Sequence, residues 1–214
     1  MRAAFMRALE GIAARDESLF VLAADTGFHV FDDFQRRYPD RYLNPGICEA
    51  ATMGLAAGLA LEGRRVFVYG IANFVALRPY EHIRNDLCLH RLPVTIVGVG
   101  QGLTYAAEGA THHSIDDISA LAAMPGMTVC CPGDPYETEE ITKASVDLDG
   151  PLYLRIGKSG EPTVHGGSPP PIQIGRGAVL HRGEKIAIAA TGNMLPTAVA
   201  ARELLAVKGV DATL

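Results

Sequence analysis

The sequence has 214 residues, a net charge of −5 and 48% hydrophobic residues, so it can bury the core of at least one full domain. The acidic balance gives no electrostatic reason to expect nucleic acid or an anionic membrane as a partner, and we predict neither. No apolar run approaches the roughly 18 residues of a membrane helix, and the four cysteines include no CxxC pair, which indicates reduced thiols in a cytoplasmic protein.

Helical and strand-like patterns alternate along the chain. The first ten residues form an amphipathic helical pattern and lack the long apolar core of a secretory signal. Short continuous apolar strands suit a parallel sheet covered on both faces, so we predict an α/β fold with an open, mostly parallel sheet. Functional groups then belong at the carboxyl ends of the strands. Strands are predicted at residues 19–24, 66–69, 94–98, 127–131 and 152–156, and helices at residues 30–37, 49–61, 74–89, 115–123 and 136–146.

The predicted helix at residues 49–61 is built almost wholly of small and aliphatic residues, and it begins with one carboxylate, Glu49. Gly54 and Gly58 would let another backbone approach closely, either in a tight core or at a subunit seam. Burying a lone charge is costly unless a partner is present. Two interpretations are therefore open: Glu49 lies in the first turn for the helix dipole, or it has a chemical role.

The composition changes after the last of these strands. Residues 157–175 are rich in glycine and proline, which predicts a linker or a long covering loop. A strand at residues 185–190, a helix at residues 196–207 and a strand from Val210 follow, and the sequence stops within that last pattern. We therefore expect a first domain at residues 1–160, a linker at residues 161–175 and the beginning of a second α/β domain at residues 176–214.

Four segments place polar residues after predicted strands. Each has a structural alternative, since Asp25 can cap a helix and the pair His112 and His113 can precede a capping box formed by Ser114 and Asp117. We predict no metal site, because the adjacent histidines have no third ligand nearby. The four segments are residues 24–29, Glu49, the loop at residues 98–113, and residues 155–158.

The glycines at positions 98, 100 and 102 match a dinucleotide-binding fingerprint only in part. The third required glycine is missing, and no helix is predicted to begin there. The sequence also contains neither a GxxxxGK[ST] nor a GxSxG string. These observations argue against a Rossmann dehydrogenase, a P-loop enzyme and a serine hydrolase.

Taken in order, several segments resemble the pyrimidine-binding domain of transketolase and related thiamine-diphosphate enzymes. The resemblance covers residues 1–165, and residues 175–214 resemble the opening of the family's C-terminal domain. The local pattern is most similar to split, bacterial-type C-terminal transketolase subunits, and less similar to beta subunits of 2-oxo-acid dehydrogenases and to deoxyxylulose-phosphate synthase. The segments are residues 39–49 (PDRYLNPGICE), 54–63 (GLAAGLALEG), 78–85 (RPYEHIRN), 108–112 (EGATH), 124–127 (MPGM) and 150–155 (GPLYLR).

The resemblance assigns Glu49 to the cofactor. In this family the matching glutamate hydrogen-bonds ring nitrogen N1′ of the aminopyrimidine of thiamine diphosphate, and this bond promotes removal of the thiazolium C2 proton. Phe74 matches an aromatic residue that lines the pyrimidine pocket, while Ile71 and Leu77 replace aromatic residues found in many transketolases. Asp25 matches an aspartate that shapes the site near the cofactor.

On the substrate side the resemblance implies contacts that depart from the family pattern. His112 matches a histidine that contacts the donor's hydroxyl or carbonyl oxygen and can carry a proton near neutral pH. Glu108 stands in place of a sugar-binding aspartate, and His29 falls near a phosphate-contacting serine. Lys158 replaces a phosphate-binding arginine, which keeps the charge but loses the bidentate fork. These departures point away from the standard pentose and hexose phosphates, toward an unusual sugar phosphate or a specialised pathway substrate.

The cofactor's diphosphate and Mg²⁺ need a second half-site, which the family supplies through a Gly-Asp-Gly motif followed by an asparagine. The nearest string, Gly133-Asp134-Pro135, differs at its third position. The resemblance therefore implies an N-terminal transketolase subunit that holds Mg²⁺, in an assembly with two copies of each chain. The expected activity is transfer of a two-carbon ketol unit, with Glu49 and His112 as catalytic residues. A decarboxylating thiamine-diphosphate enzyme and a non-catalytic truncated partner are the alternatives.

Overall fold

Six parallel strands form the central sheet of the computed structural model, which describes residues 1–167 and 169–214. All neighbouring strands run parallel, which confirms the predicted open α/β sheet. Strand β2 is absent from the predicted strands, because two residues are too few to show a periodic pattern. The strands are β1 (Leu19–Ala23), β2 (Tyr42–Leu43), β3 (Arg65–Ile71), β4 (Val94–Val99), β5 (Thr128–Cys130) and β6 (Leu152–Ile156), in the spatial order β2-β1-β3-β4-β6-β5.

Helices cover both faces of the sheet. Successive side chains of a strand point to opposite faces of the sheet, so neighbouring residues of β3 belong to different apolar layers. Phe67 belongs to an apolar cluster with Phe5 and Phe34, whereas Val68 belongs to a second cluster with Met53. The sheet is therefore buried between two apolar layers. The helices are α1 (Arg2–Ala13), α2 (Asp32–Arg37), α3 (Glu49–Leu61), α4 (Ala72–Leu77), α5 (Tyr80–His82), α6 (Asp117–Ala122), α7 (Pro135–Ala144) and α8 (Leu195–Val207).

Helix α3 covers Glu49–Leu61, the range predicted from the sequence. Its inner face, which includes Met53, is buried in the second apolar cluster. Its outer face is exposed, and a Cβ added to Gly54 or Gly58 would meet no heavy atom of the described residues within 4 Å. Packing within this chain therefore does not account for the two glycines.

The prediction of a single helix at residues 74–89 is wrong, because the structure divides this stretch into three helical elements. Helix α4 ends before Pro79, the three-residue α5 follows, and a π-helical turn occupies Ile83–Cys88. Proline cannot donate a backbone hydrogen bond and its ring clashes with the preceding turn, so the helix stops there. Arg78 remains four residues after Phe74, a spacing that places both side chains on one face.

The segment predicted as a linker or covering loop is fastened to α7. Asp134 caps this helix by accepting a hydrogen bond from Glu137 N at 2.9 Å, and it accepts two more from Val164 N and His165 N at 3.0 Å each. His165 is buried, with its Nε2 2.8 Å from Glu137 Oε1, while Gly133 N donates to Glu137 Oε2 at 2.7 Å. Asp134, Glu137 and His165 together have the spacing of a metal-ligand set. The two carboxylates bond the backbone and His165, and these contacts between α7 and residues 164–165 favour the covering-loop interpretation.

A second sheet of two strands, with one helix, follows position 175. Strands β7 (Ile186–Ala187) and β8 (Ala212–Thr213) pair in parallel, and α8 lies between them in the sequence. This β-α-β order is the pattern expected for the beginning of an α/β domain. Within the part of the chain that the structure describes, no helix combines the length and apolar character that a membrane crossing requires.

Replacing Asp134 by alanine is expected to lower the free energy of unfolding by about 3 kcal/mol. About 1 kcal/mol reflects the lost helix cap, and about 2 kcal/mol reflects the lost bonds from Val164 and His165 to a buried carboxylate. Asp116→Ala is the matched control, because Asp116 is the N-cap residue of α6 but makes no capping bond with its side chain. Urea denaturation measures both, and equal losses would contradict the fastening role.

Cys130 and Cys131 are half-buried free thiols, and burial raises the pKa of each from 9.0 to about 11. Because the thiolate is the reactive form, alkylation by iodoacetamide at pH 7.5 is expected to be about 100-fold slower than in the urea-unfolded chain. The rate in the folded chain should keep rising as the pH approaches the raised pKa. Mass spectrometry of the peptide carrying both thiols follows the reaction, and equal rates in the two states would refute the shift.

Candidate active site at the carboxyl ends of the strands

The parallel sheet gathers the predicted site segments at one edge. Asp25 follows β1, Phe74 follows β3, His112 belongs to the loop after β4, and Lys158 follows β6. The carboxyl ends of parallel strands share one edge of the sheet, where open α/β folds form their sites. Glu49 reaches this edge from the start of α3, which follows the short strand β2.

Glu49 is buried, with 6% of its surface exposed, and its Oε1 accepts a hydrogen bond of 2.7 Å from Arg78 Nη1. Among the described residues, this arginine is the only hydrogen-bond partner of the carboxylate side chain. The N-cap residue of α3 is Cys48, whose side chain makes no capping bond. The Glu49 carboxylate is therefore a buried charge that is paired, as burial requires, and its partner is Arg78.

A row of rings and cations connects this carboxylate to the other predicted residues. The guanidinium carbon of Arg78 lies 3.9 Å from the centroid of the Phe74 ring. Phe74 contacts His112, with ring centroids 4.9 Å apart and planes inclined by 64°. Tyr105 lies 6.0 Å from His112, and Lys158 Nζ is 4.4 Å from the centroid of the Tyr105 ring. The structure thus brings four of the predicted site residues together in one continuous row.

Three further predicted residues belong to neighbouring elements: Asp25 follows β1, Ile71 ends the adjacent strand β3, and Leu77 ends α4. Asp25 has a left-handed backbone conformation, with φ of 45°. It accepts a hydrogen bond of 3.2 Å from Asn44 Nδ2, and its backbone N donates to Asn44 Oδ1 at 3.1 Å. Ile71 ends β3 and is half-buried, while Leu77 packs against the apolar cluster of α3. The Asp25–Asn44 pair ties the end of β1 to the segment that precedes α3.

His29 and Glu108 make no ring contact or side-chain hydrogen bond to the row within the described structure. His29 is exposed, and its Nδ1 lies 3.4 Å from Asp32 Oδ2. Glu108 is exposed at the end of a 3₁₀ turn, Ala106–Glu108, in the loop after β4. Roles for both residues toward a substrate stay predictions.

The loop that carries Tyr105 and His112 is closed at its base. Gly102 and Ser114 form an antiparallel bridge, with N···O distances of 3.0 and 2.9 Å. Gly100 has φ of 92°, and a Cβ added there would collide with the Tyr105 ring. The glycines that partly matched a nucleotide fingerprint therefore serve backbone geometry and close packing.

A buried ion pair behind this loop is a feature that sequence reasoning missed. Asp117 is fully buried, and its Oδ2 accepts hydrogen bonds from Arg155 Nε at 2.7 Å and from Tyr153 Oη at 2.6 Å. Arg155 Nη2 also donates to the carbonyl oxygen of Ser114, and its Nη1 lies 3.5 Å from Gln101 Oε1. The pair therefore fastens both ends of the loop that carries the imidazole.

The alternative capping box formed by Ser114 and Asp117 is wrong, because α6 begins at Asp117 and its N-cap residue is Asp116. Burial, reinforced by the Asp117 charge, raises the pKa of the Tyr153 phenol well above its usual value, so this tyrosine remains a donor. The sequence does contain one indication of the Asp117–Arg155 pair: Arg155 lies within an apolar strand, and a charge placed there must have a partner.

Three buried polar atoms next to predicted site residues have no hydrogen-bond partner within the described structure. They are Thr26 Oγ1, Asn73 Oδ1 and His113 Nε2. Buried polar atoms without a partner are rare, and such positions suit bonding to a ligand or to another subunit. The Glu49 carboxylate and the Phe74 ring, which both contact Arg78, offer a hydrogen-bond acceptor and an aromatic face to a planar heterocycle that carries ring nitrogens.

The chain is similar to several proteins of known family. A family model described as "Transketolase, pyrimidine binding domain" matches residues 1–162. The chain is 34% identical, over 99% of its length, to a subunit of apulose-4-phosphate transketolase from Phocaeicola vulgatus, and it covers 68% of that protein. It is 35% identical, over 98% of its length, to 1-deoxy-D-xylulose-5-phosphate synthase of Desulforudis audaxviator, of which it covers 33%. A solved structure, described as a split-gene transketolase in an inactive beta4 tetramer, superimposes with a TM-score of 0.89 at 35% identity, covering 99% of this chain and 69% of that one.

Asp117→Asn keeps the side-chain shape but leaves Arg155 buried without a counter-ion. We expect the free energy of unfolding to fall by about 3 kcal/mol, and proteolysis within residues 102–114 to become faster. Asp149→Asn is the matched control, because Asp149 is 81% exposed and pairs with Arg91 at the surface, where an ion pair contributes less than about 1 kcal/mol. Urea denaturation and limited proteolysis compare the two, and similar behaviour would contradict the fastening of the loop.

Proposed function

The chain belongs to the family of transketolase pyrimidine-binding domains, and we propose that it is the pyrimidine-binding subunit of a split, thiamine-diphosphate-dependent transketolase. The observation that carries this proposal is the buried Glu49 carboxylate close to the Phe74 ring, bridged by one arginine. An aminopyrimidine needs such a pair of contacts: an aromatic surface for its ring and an acidic partner for a ring nitrogen.

In the proposed site, Glu49 shares a proton with ring nitrogen N1′ of the pyrimidine, and the exclusion of water strengthens this hydrogen bond. Phe74 supports the face of the ring, and Ile71 and Leu77 provide aliphatic walls. Asp25 shapes the neighbouring edge of the site. Bound thiamine diphosphate supplies the carbon nucleophile and the electron sink for cleaving a carbon–carbon bond next to a carbonyl group.

His112 is the second catalytic residue in this proposal. Its Nδ1 lies 3.0 Å from Thr111 Oγ1, which leaves Nε2 to bond a donor hydroxyl or carbonyl oxygen. Imidazole can exchange a proton there near neutral pH. Lys158, at the other end of the row, provides a positive charge for a phosphate group, with Glu108 and His29 as further substrate contacts.

The proposed reaction is transfer of a two-carbon ketol unit between sugar or sugar-phosphate substrates. The relative from P. vulgatus is named for apulose 4-phosphate. This name supports a substrate other than the standard pentose and hexose phosphates, in line with a lysine, and not an arginine, at position 158.

A second chain completes the proposed site. The relative from P. vulgatus is named as one subunit of its enzyme, and the split-gene relative is described as an inactive beta4 tetramer. The exposed face of α3 continues from Glu49, and Gly54 and Gly58 would admit a close backbone contact there. Ile47, which is 74% exposed, adds an apolar contact beside the start of the helix. We infer that an N-terminal subunit carrying Mg²⁺ and the diphosphate-binding domain packs on this face, with two copies of each chain.

Similarity to 1-deoxy-D-xylulose-5-phosphate synthase favours a second candidate function. In that case the same Glu49 and Phe74 would serve a decarboxylating synthase or the beta subunit of a 2-oxo-acid dehydrogenase. A non-catalytic partner chain is the third possibility. Release of CO₂ from 2-oxo acids without ketol transfer would identify the second candidate, and assembly with the partner without turnover in either assay would identify the third.

Glu49→Gln, in the chain reconstituted with its partner subunit, is expected to lower kcat for ketol transfer by at least about 100-fold, because an amide cannot share the required proton. The matched control is Glu17→Gln, since Glu17 is exposed and lies before β1, at the opposite edge of the sheet. A coupled assay of the assembled pair measures both variants. The catalytic proposal fails if Glu49→Gln retains full activity.

A further inference from the structure

Arg78 is not among the functional residues predicted from the sequence, but it contacts two of them, Phe74 and Glu49. Its guanidinium lies 3.9 Å from the centroid of the Phe74 ring, and its Nη1 donates to Glu49 Oε1 at 2.7 Å. A guanidinium is planar and delocalised, so it presents a flat face to an aromatic ring and N–H groups to a carboxylate. These are the same two contacts that the proposed function gives to the aminopyrimidine ring.

We propose that Arg78 occupies the position of the pyrimidine ring in the isolated subunit, where it pairs with Glu49, and that it is exchanged for this ring when thiamine diphosphate binds. This inference rests on the proposed function. Only one flat group at a time can lie on this face of Phe74 and bond the same carboxylate. The arginine and the cofactor ring therefore compete for one position.

The two side chains of the ion pair differ in exposure, and this difference makes the exchange feasible. The Glu49 side chain is 6% exposed, whereas the Arg78 side chain is 46% exposed. Without a partner, the buried carboxylate would be costly, so Arg78 satisfies it in the isolated subunit. A half-exposed arginine can turn its charged end into water, because its long stem can remain against the protein. Departure of Arg78 then leaves no buried cation behind.

The exchange predicts a direction for the effect of removing the arginine. Only those molecules in which Arg78 has turned away can bind the cofactor ring, so the apparent affinity is reduced by that fraction. Removing Arg78 should therefore tighten cofactor binding. A residue that contacted the bound cofactor favourably would show the opposite effect when removed.

The experiment measures binding of thiamine diphosphate, with Mg²⁺ present, to the chain assembled with its partner subunit, by isothermal titration calorimetry. Arg78→Gln is expected to lower Kd about tenfold, because the arginine no longer occupies the position of the cofactor ring in most of the molecules. Arg84→Gln should leave Kd unchanged, because Arg84 is exposed and, within the described residues, its side chain bonds only the neighbouring Asn85. In the Glu49→Gln background, Arg78→Gln should lose most of its effect, since the neutral amide no longer holds the cation.

A nuclear magnetic resonance measurement on the isolated chain tests the contact without any cofactor. The ring current of Phe74 should shift the side-chain signals of Arg78, and Phe74→Leu should remove this shift. Addition of the partner with thiamine diphosphate should remove it as well, because the guanidinium leaves the ring. Arg78→Lys keeps the charge but loses the flat group, so its Kd should fall between those of the wild type and Arg78→Gln.

The outcomes separate this inference from the proposed function. If the wild-type pair binds thiamine diphosphate and Arg78→Gln binds it equally or more weakly, the exchange is refuted while the proposed function stands. A wild-type pair that binds no thiamine diphosphate overturns the proposed function, and the exchange falls with it. Tighter binding by Arg78→Gln, with Arg84→Gln unchanged, supports the exchange.

Discussion

Two buried carboxylates, each paired with an arginine, organise the functional edge of this sheet. A carboxylate removed from water must be bonded, so each one fixes the position of a cation. Asp117 fixes Arg155, which holds the base of the loop that carries His112. Glu49 fixes Arg78, which lies over an aromatic ring of the site. Both members of the Asp117–Arg155 pair are buried, so this pair belongs to the supporting framework. In the Glu49–Arg78 pair the arginine is half-exposed, and this is the contact that we propose is exchanged.

The regular elements of the fold could be predicted from the sequence because hydrophobic periodicity reports burial directly. The bounds of α3 and β6 follow from such patterns and agree with the structure. At residues 74–89, hydrophobic periodicity does not indicate where the helices end. Its apolar pattern continues across Pro79, but the hydrogen-bond ladder cannot, so periodicity alone joins elements that the backbone separates.

The candidate site was less predictable, because its contacts join residues that are distant in the sequence. The resemblance to a known family singled out Glu49 and Phe74, but it assigned no role to Arg78, which pairs with a residue 29 positions away. Arg155 and Asp117 are 38 positions apart and leave no local pattern either. What the sequence does show is a charge inside an apolar segment, which indicates that a partner exists without identifying it.

The closed loop between Gly102 and Ser114 bears on how chains of this type diverge. The bonds that fasten it are made by the backbone at its two ends, by Arg155 of β6, and by Asn73, whose Nδ2 donates to the carbonyl oxygen of Thr111 at 2.7 Å. Between residues 106 and 113 these bonds end on backbone atoms of the loop, so they do not depend on which side chains stand there. Side chains in this stretch, including the proposed substrate contacts Glu108 and His112, can therefore change during evolution at little expense of folding stability.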